Sequence, residues 1–393
     1  MRAAAFEGMC PDHLPSRELV DYHVAVARGG VGMTTVAYAA IERSGLSFAH
    51  QLWLREEATR PLRDLTDAVH AEGAKVSLQI GHCGNMAKPS VAGGRPLAPS
   101  SLPNLYGPTW PRAMDRREIE RVAKSFGTAV SLARDAGFDA VEVHAGHGYL
   151  LSQFLSPGTN RRTDEFGGSL DNRLRFLRMA LSEARRAARD DMAVIVKTNL
   201  RDGYRGGMEL DEGVRVAKAL EELGAHALVL SGGFVSRAPM YILRGAMPMR
   251  VMRRGMPWWM RAGVAMVGER LVPEVPYREG YFLEDAAAVR GEVKVPLVYV
   301  GGAVSRAGID SILGRGFEAV AMARALLREP DFVNRLAAED ASSPCDHCNY
   351  CSARIYSTTM ACHHREHSSP ELARLLPRAV REVGEAARKA ARS

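Results

Sequence analysis

Seven short runs of consecutive apolar residues, many of them β-branched, recur along the chain: GMTTVAYAAI (32–41), KVSLQIGH (75–82), FDAVEVH (138–144), AVIVKTN (193–199), HALVLSGG (226–233), PLVYVGG (296–302) and EAVAMAR (318–324). A half-exposed strand alternates apolar and polar residues, whereas one covered on both faces is apolar throughout, so these runs predict parallel strands packed under helices. The intervening stretches SRELVDYHVAVARGG, EEATRPLRDLTDAVHAEG and REIERVAKSFGTAVSLARDAG read as amphipathic helices, each closing on the glycine expected just past a helix end. With the opening RAAAF as the tail of one more strand, the α/β pattern closes as a (β/α)8 TIM barrel. The excursion from about 235 to 290, which carries Trp258 and Trp259, is too long for an ordinary loop and is expected to shape or cap the site. A boundary near 340 divides a barrel domain, 1–340, from a C-terminal Cys-rich extension with a basic helix, 341–393.

The extension raises a question of its own, because four of the six cysteines lie in SPCDHCNYCSARIYSTTMACHH with C-x2-C-x2-C-x10-C spacing. They can grip zinc, ligate an iron–sulfur cluster or pair as disulfides. The opening MRAAAFEGMCPDHL has no signal-peptide layout and no apolar run reaches about 18 residues, so a soluble, cytoplasmic protein without membrane partners is expected. Such a compartment disfavours structural disulfides. Thiolates suit zinc or iron–sulfur, and the neighbouring His363 and His364 keep zinc open. Cys10 and Cys83 read as ordinary core or loop thiols. The formal charge is +7, but Lys and Arg are scattered and not interleaved with aromatics, which argues against a nucleic-acid groove. The final PELARLLPRAVREVGEAARKAARS reads as a surface or subunit-contact helix.

In a barrel the working face lies at the C-terminal strand ends. Those ends carry Gln79 and His82, then His144-Ala-Gly-His147-Gly-Tyr149, then Lys197, Gly301–Gly302, and Ala323–Arg324. Gly301, Gly302 and Ala303 can expose backbone N–H groups, and Arg324 follows the last strand, where barrels commonly hold a phosphate. The bland reading of these is tight-turn glycines and a surface arginine. His144 and His147 can flank a metal, but the nearby carboxylate, Glu142, is expected from alternation to point to the other side of the strand. Two imidazole N–H groups can instead converge on one oxygen as charge builds on it, with Tyr149 as proton donor. Core histidines satisfied by backbone are the third reading.

VEVHAGHGYLLSQFLSPGTNRRTDEFGGSLDNRLRF (141–176) resembles the signature block of the old yellow enzyme family of FMN-dependent barrel oxidoreductases, and KVSLQIGH, VIVKTN, VYVGGAVS and AMARALLREPDF match its other blocks in order. The resemblance implies FMN held by Gln79 at the pyrimidine edge, by Lys197 near N1 and O2, by Ala3, Ala4, Ala5 and Ala37 along the first strands, and by Gly301, Gly302, Ala303, Ala323 and Arg324 at the phosphate. It further implies a His144–His147 pair on the substrate carbonyl and Tyr149 as proton donor, in an ene-reductase taking hydride from NAD(P)H. The cysteine run is similar to that of the subgroup with 2,4-dienoyl-CoA reductase and trimethylamine dehydrogenase. That similarity implies a [4Fe-4S] cluster on Cys345, Cys348, Cys351 and Cys362, with zinc as the alternative, and a homo-oligomer.

Three departures from the pattern matter. The chain begins almost inside the first strand, which predicts a truncated start and weaker FMN binding. Ala3-Ala4-Ala5 stand where relatives place a Thr or Cys, so neither a side-chain bond to flavin O4 nor a cysteinyl-flavin is expected. The chain stops at Ser393 and has no G-x-G-x-x-G after a strand, so electrons are expected from NAD(P)H over the flavin or from a separate donor protein. Flavin-dependent oxidation, such as amine demethylation or desaturation, and a flavin/iron–sulfur electron-transfer subunit are the competing functions.

Overall fold

The computed structural model describes residues 1–104, 107–254, 256, 258, 261, 263–264, 272–355 and 359–363. The expected Trp259, His364 and helix at 370–393 lie outside the described residues. Seven strands, numbered here along the barrel, form one parallel sheet in sequential order: β1 (Met33–Ala40), β2 (Lys75–Gly81), β3 (Ala140–Ala145), β4 (Ala193–Asn199), β5 (Ala227–Ser231), β6 (Leu297–Tyr299) and β7 (Ala319–Val320). All seven coincide with the apolar runs. The N-terminal residues close the sheet into a barrel: Arg2 bridges both Thr34 and Met322, with Arg2 N donating to Met33 O at 2.9 Å and Ala3 N to Met322 O at 2.9 Å. RAAAF therefore occupies the eighth staff, and the fold is a (β/α)8 barrel.

Alternation along each strand sorts the side chains. On β3, Val141 and Val143 point outward into the main apolar core with Val122, Phe126 and Leu177 of the helical layer, while Ala140 points inward. Ala3, Ala140, Ile195, Val229, Val298 and Ala321 make one apolar layer inside the barrel. Large helices cover the outside because their apolar residues recur at helical spacing: on Arg17–Arg28, Leu19, His23, Val26 and Ala27 are the buried set. The helix Arg116–Asp135 starts in a capping box, Asp115 accepting from Glu118 N while Glu118 accepts from Asp115 N. It ends just before Gly137, whose φ of +82° an L side chain adopts poorly.

Strand β1 carries a register irregularity between Val36 and Ala39. The Ala37 N–H is turned to the Glu7 carboxylate, at 3.1 and 3.3 Å from its two oxygens. After β5 the chain makes the expected excursion through helices Pro239–Leu243 and Met249–Arg254 before Leu283–Arg290. Beyond helix Phe332–Ala338 the Cys-bearing segment bridges back to the barrel at Ser305 and Ser342. Among the described residues no helix is long and apolar enough to cross a membrane.

Candidate active site

Above the apolar layer lies a polar one. Glu142 Oε1 accepts from Gln79 Nε2 at 2.6 Å and pairs with Lys197 Nζ at 2.8 Å, the Lys197 and Glu142 side chains being 2% and 4% exposed. This corrects the expectation that Glu142 points away from the histidines. Positions 142 and 144 are two apart on one strand and share a face, and that face is the barrel interior. The carboxylate joins β2 to β4 across β3, and Gln79 helps satisfy the lone pairs that a buried ion pair leaves over.

Two residues above Glu142, β3 delivers His144, which is buried. Its Nδ1 accepts from Gly146 N at 3.3 Å, so the neutral ring carries its proton on Nε2. The chain then turns sharply. His147 has φ +58° and Gly148 φ +79°, and a Cβ on Gly148 would stand 2.4 Å from the Phe234 ring. The strained His147 backbone is held by Asn199 Oδ1, which accepts its N–H at 2.9 Å, and its Nε2 lies 2.7 Å from Ser231 Oγ. Tyr149 caps helix Leu150–Leu155 and stacks on His144 with ring centroids 4.3 Å apart, while His144 and His147 meet edge to face at 5.1 Å. Tyr38 from β1 closes the group, 4.9 Å from the Tyr149 ring.

Burial lowers the affinity of both imidazoles for a second proton, and the charges of His147 and Lys197 add to the effect on His144. His144 is held well below the usual histidine range, and His147 is pushed down to about 3, by burial first and Lys197 second. Both rings are neutral N–H donors at neutral pH, fit to polarise an oxygen without surrendering a proton.

The structure brings together Gln79, Lys197, His144, His147 and Tyr149. His82 is not among them: its Nδ1 accepts from Gly84 N at 3.0 Å and its Nε2 meets Ser44 Oγ at 3.0 Å, in a separate network with Glu42. Ala3 lies in the apolar layer below, and the Ala37 N–H is taken by Glu7. Sequence reasoning put Glu142 on the wrong face of its strand and missed Asn199 and Ser231. Counting in twos from His144 finds Glu142; nothing local marks the other two.

Gly301 and Gly302 follow β6 as expected. Gly302 has φ +76°, and a Cβ there would lie 2.6 Å from Tyr281 Cε1 and 2.9 Å from Tyr277 Cε2. Both tyrosines come from the excursion, and Tyr277 Oη donates to Gly302 O at 2.7 Å. The Arg244 guanidinium lies 4.7 Å from the Tyr281 ring centre, and its buried Nε has no hydrogen-bond partner among the described residues. Arg324 Nη1 donates to Asn349 Oδ1 at 2.9 Å, and its charge also acts on the Tyr281 and Tyr277 phenols beside Gly302. A turn in which only glycine fits, the Arg244 guanidinium nearby and the buried Lys197 ammonium suit a phosphorylated, electron-rich cofactor such as FMN.

Asn349 leads to the cysteines. Cys345, Cys348, Cys351 and Cys362 line one cavity with Arg324, Arg328, His347 and His363. Asn349 Nδ2 ties this segment to the excursion through Arg244 O at 2.6 Å and Ala246 O at 3.1 Å, and the His347 ring stacks on Tyr277 at 3.5 Å. Burial raises the Cys345 and Cys351 thiols and pushes Cys348 up to about 12. Among the described residues, no three His, Cys, Asp or Glu side chains converge on a single metal-ion position.

Comparison with known proteins sets these features in a family. The chain is 40% identical over 361 residues to 4,4'-dithiodibutanoate disulfide reductase of Rhodococcus erythropolis, covering 91% of this chain and 90% of that one. It is 31% identical over 321 residues to NADH oxidase of Thermoanaerobacter brockii, covering 81% of this chain but only 45% of that longer protein. The old yellow enzyme homologue from Zymomonas mobilis has the same fold, with a TM-score of 0.70 at 21% identity over 94% of this chain and 93% of that one. With residues 5–254 matching the family's own pattern, the chain belongs to the NADH:flavin oxidoreductase / NADH oxidase family.

Proposed function

We propose that this FMN-dependent NAD(P)H oxidoreductase reduces the C=C bond of an α,β-unsaturated carbonyl or thioester. The observation that carries the reading is the convergence of two neutral imidazoles and a phenol, His144, His147 and Tyr149, above the Gln79–Glu142–Lys197 layer. His144 and His147 hold the carbonyl oxygen and stabilise the negative charge it gains, which is the office of an oxyanion hole. Tyr149 gives the proton to the α-carbon. FMN, when bound, supplies the hydride to the β-carbon and is recharged by NAD(P)H. Gln79 and Lys197 hold its ring, with Ala4 and Ala5 at the strand end beside it. Gly301, Gly302, Ala303, Ala323 and Arg324 hold its phosphate.

Tyr149→Phe is the test. With the flavin reduced anaerobically by NAD(P)H, the variant should accept hydride at the wild-type rate yet lose about 10²- to 10⁴-fold in turnover of 2-cyclohexen-1-one, the span of general acid catalysis. Unchanged enone turnover would sink the assignment.

The similarity to a disulfide reductase across nine-tenths of both chains favours a second reading, reductive cleavage of an organic disulfide. The balance is disulfide plus NAD(P)H plus a proton to two thiols plus NAD(P)⁺. Turnover of 4,4'-dithiodibutanoate with none of the enone decides for it.

For the extension, at 341–393, we propose that Cys345, Cys348, Cys351 and Cys362 hold a [4Fe-4S] cluster. Four soft thiolate donors lining one cavity suit an iron–sulfur cluster, with zinc as the alternative. About four iron and no zinc per chain is the expected analysis; one zinc and no iron would replace the reading. A cytoplasmic homo-oligomer, served by NAD(P)H or a separate electron-donor protein, completes the proposal, with sedimentation as the check on assembly.

A further inference from the structure

We infer that Arg328 sets the reduction potential of the group bound by the four cysteines, an inference that rests on the [4Fe-4S] reading above. Arg328 is the last residue of helix Arg324–Arg328, four positions after Arg324, and both arginines line the cysteine cavity from that helix. Their tasks differ. Arg324 Nη1 is spent on Asn349 Oδ1, the residue between Cys348 and Cys351, which fixes the loop that carries those thiols. Arg328 Nη1 instead points at a sulfur, donating to Cys362 Sγ at 3.6 Å.

Cys362 lies eleven positions after Cys351, so its sulfur depends on an arm that packs separately. Met360 N donates to Glu7 O at 2.7 Å and Thr359 Oγ1 to Glu18 Oε1 at 2.9 Å, which places that arm against the N-terminal segment and the first helix. The guanidinium reaches from the last barrel helix to this arm. A cluster held by four thiolates gains one negative charge on reduction. A fixed positive charge that also donates an N–H to a ligating sulfur stabilises the reduced form more than the oxidised one and raises the potential. Lysine would keep the charge without the planar fork, and glutamine the donor without the charge.

The test is a spectroelectrochemical titration of the purified holoprotein, wild type beside Arg328→Met, Arg328→Gln and Arg328→Lys, with iron and FMN content measured on each sample. For Arg328→Met the reduced-to-oxidised ratio of the cluster at a given potential should fall at least tenfold, which is about 59 mV for a one-electron couple. Arg328→Gln should fall between, and Arg328→Lys should lie nearest wild type, with the FMN couple moving much less in all three. A cluster potential unchanged in Arg328→Met with full iron would overturn the inference and leave the cluster reading standing. Iron lost from all three variants while FMN is retained would assign Arg328 to cluster retention and overturn its role in the potential. Absence of iron from the wild type would overturn the cluster reading and this inference with it.

Discussion

Replacing Lys197 with methionine keeps the length of the side chain but strips Glu142 of its cation. The 2.8 Å pair is almost wholly out of solvent, so water cannot enter to solvate the carboxylate left behind. Removing one partner of such a pair costs about 3–5 kcal/mol, most of it the uncompensated charge. Gln79 still donates to Glu142, which places the expected loss toward the lower end of that range. For a chain of 393 residues the unfolding entropy is about 0.8 kcal/mol per kelvin, so the melting temperature should fall by about 4–5 °C. Calorimetry on FMN-free protein isolates this from any change in cofactor binding. The double variant Lys197→Met/Glu142→Gln removes the orphaned charge and should recover at least half of the loss. A single variant that melts within about 1 °C of wild type, or a double variant no more stable than the single, would refute the account of a buried, mutually dependent pair.

Two further expectations follow from the same geometry. Because His147 is pushed down to about 3 and His144 lies well below the usual range, the folded state binds fewer protons there than the unfolded chain. Stability should therefore be flat above about pH 6.5 and fall as pH drops from there toward 3, and enone kcat/KM should show no step near 6.5; such a step would mean a titrating, exposed imidazole. Gly302→Ala puts a Cβ at φ +76° against Tyr281 and Tyr277, so the protein should lose about 1–2 kcal/mol and release FMN more readily, read by unfolding and by flavin fluorescence; an unaltered FMN affinity would remove that turn from the cofactor site.

The barrel was legible before any coordinates because its determinants are local. A run such as AVIVKTN is a buried strand wherever it lies, and Gly137 ends a helix through its own φ. The His144-Ala-Gly-His147-Gly-Tyr149 stretch was likewise legible as chemistry, since one tight turn at the end of β3 brings both rings and the phenol together. The same letters did not disclose what holds them. Ser231 reaches His147 from 84 positions away, and Glu142 is shared by Gln79 and Lys197 from strands on either side. Arg324 gives one guanidinium N–H to Asn349 in the cysteine segment, 25 positions on. Periodicity and turn chemistry act over a few residues, so the chain alone determines strands, helices and the turn that gathers His144, His147 and Tyr149. Which buried charge meets which partner depends on the register of the closed barrel and on where a long excursion and a cysteine arm fold back, and only the tertiary structure decides that.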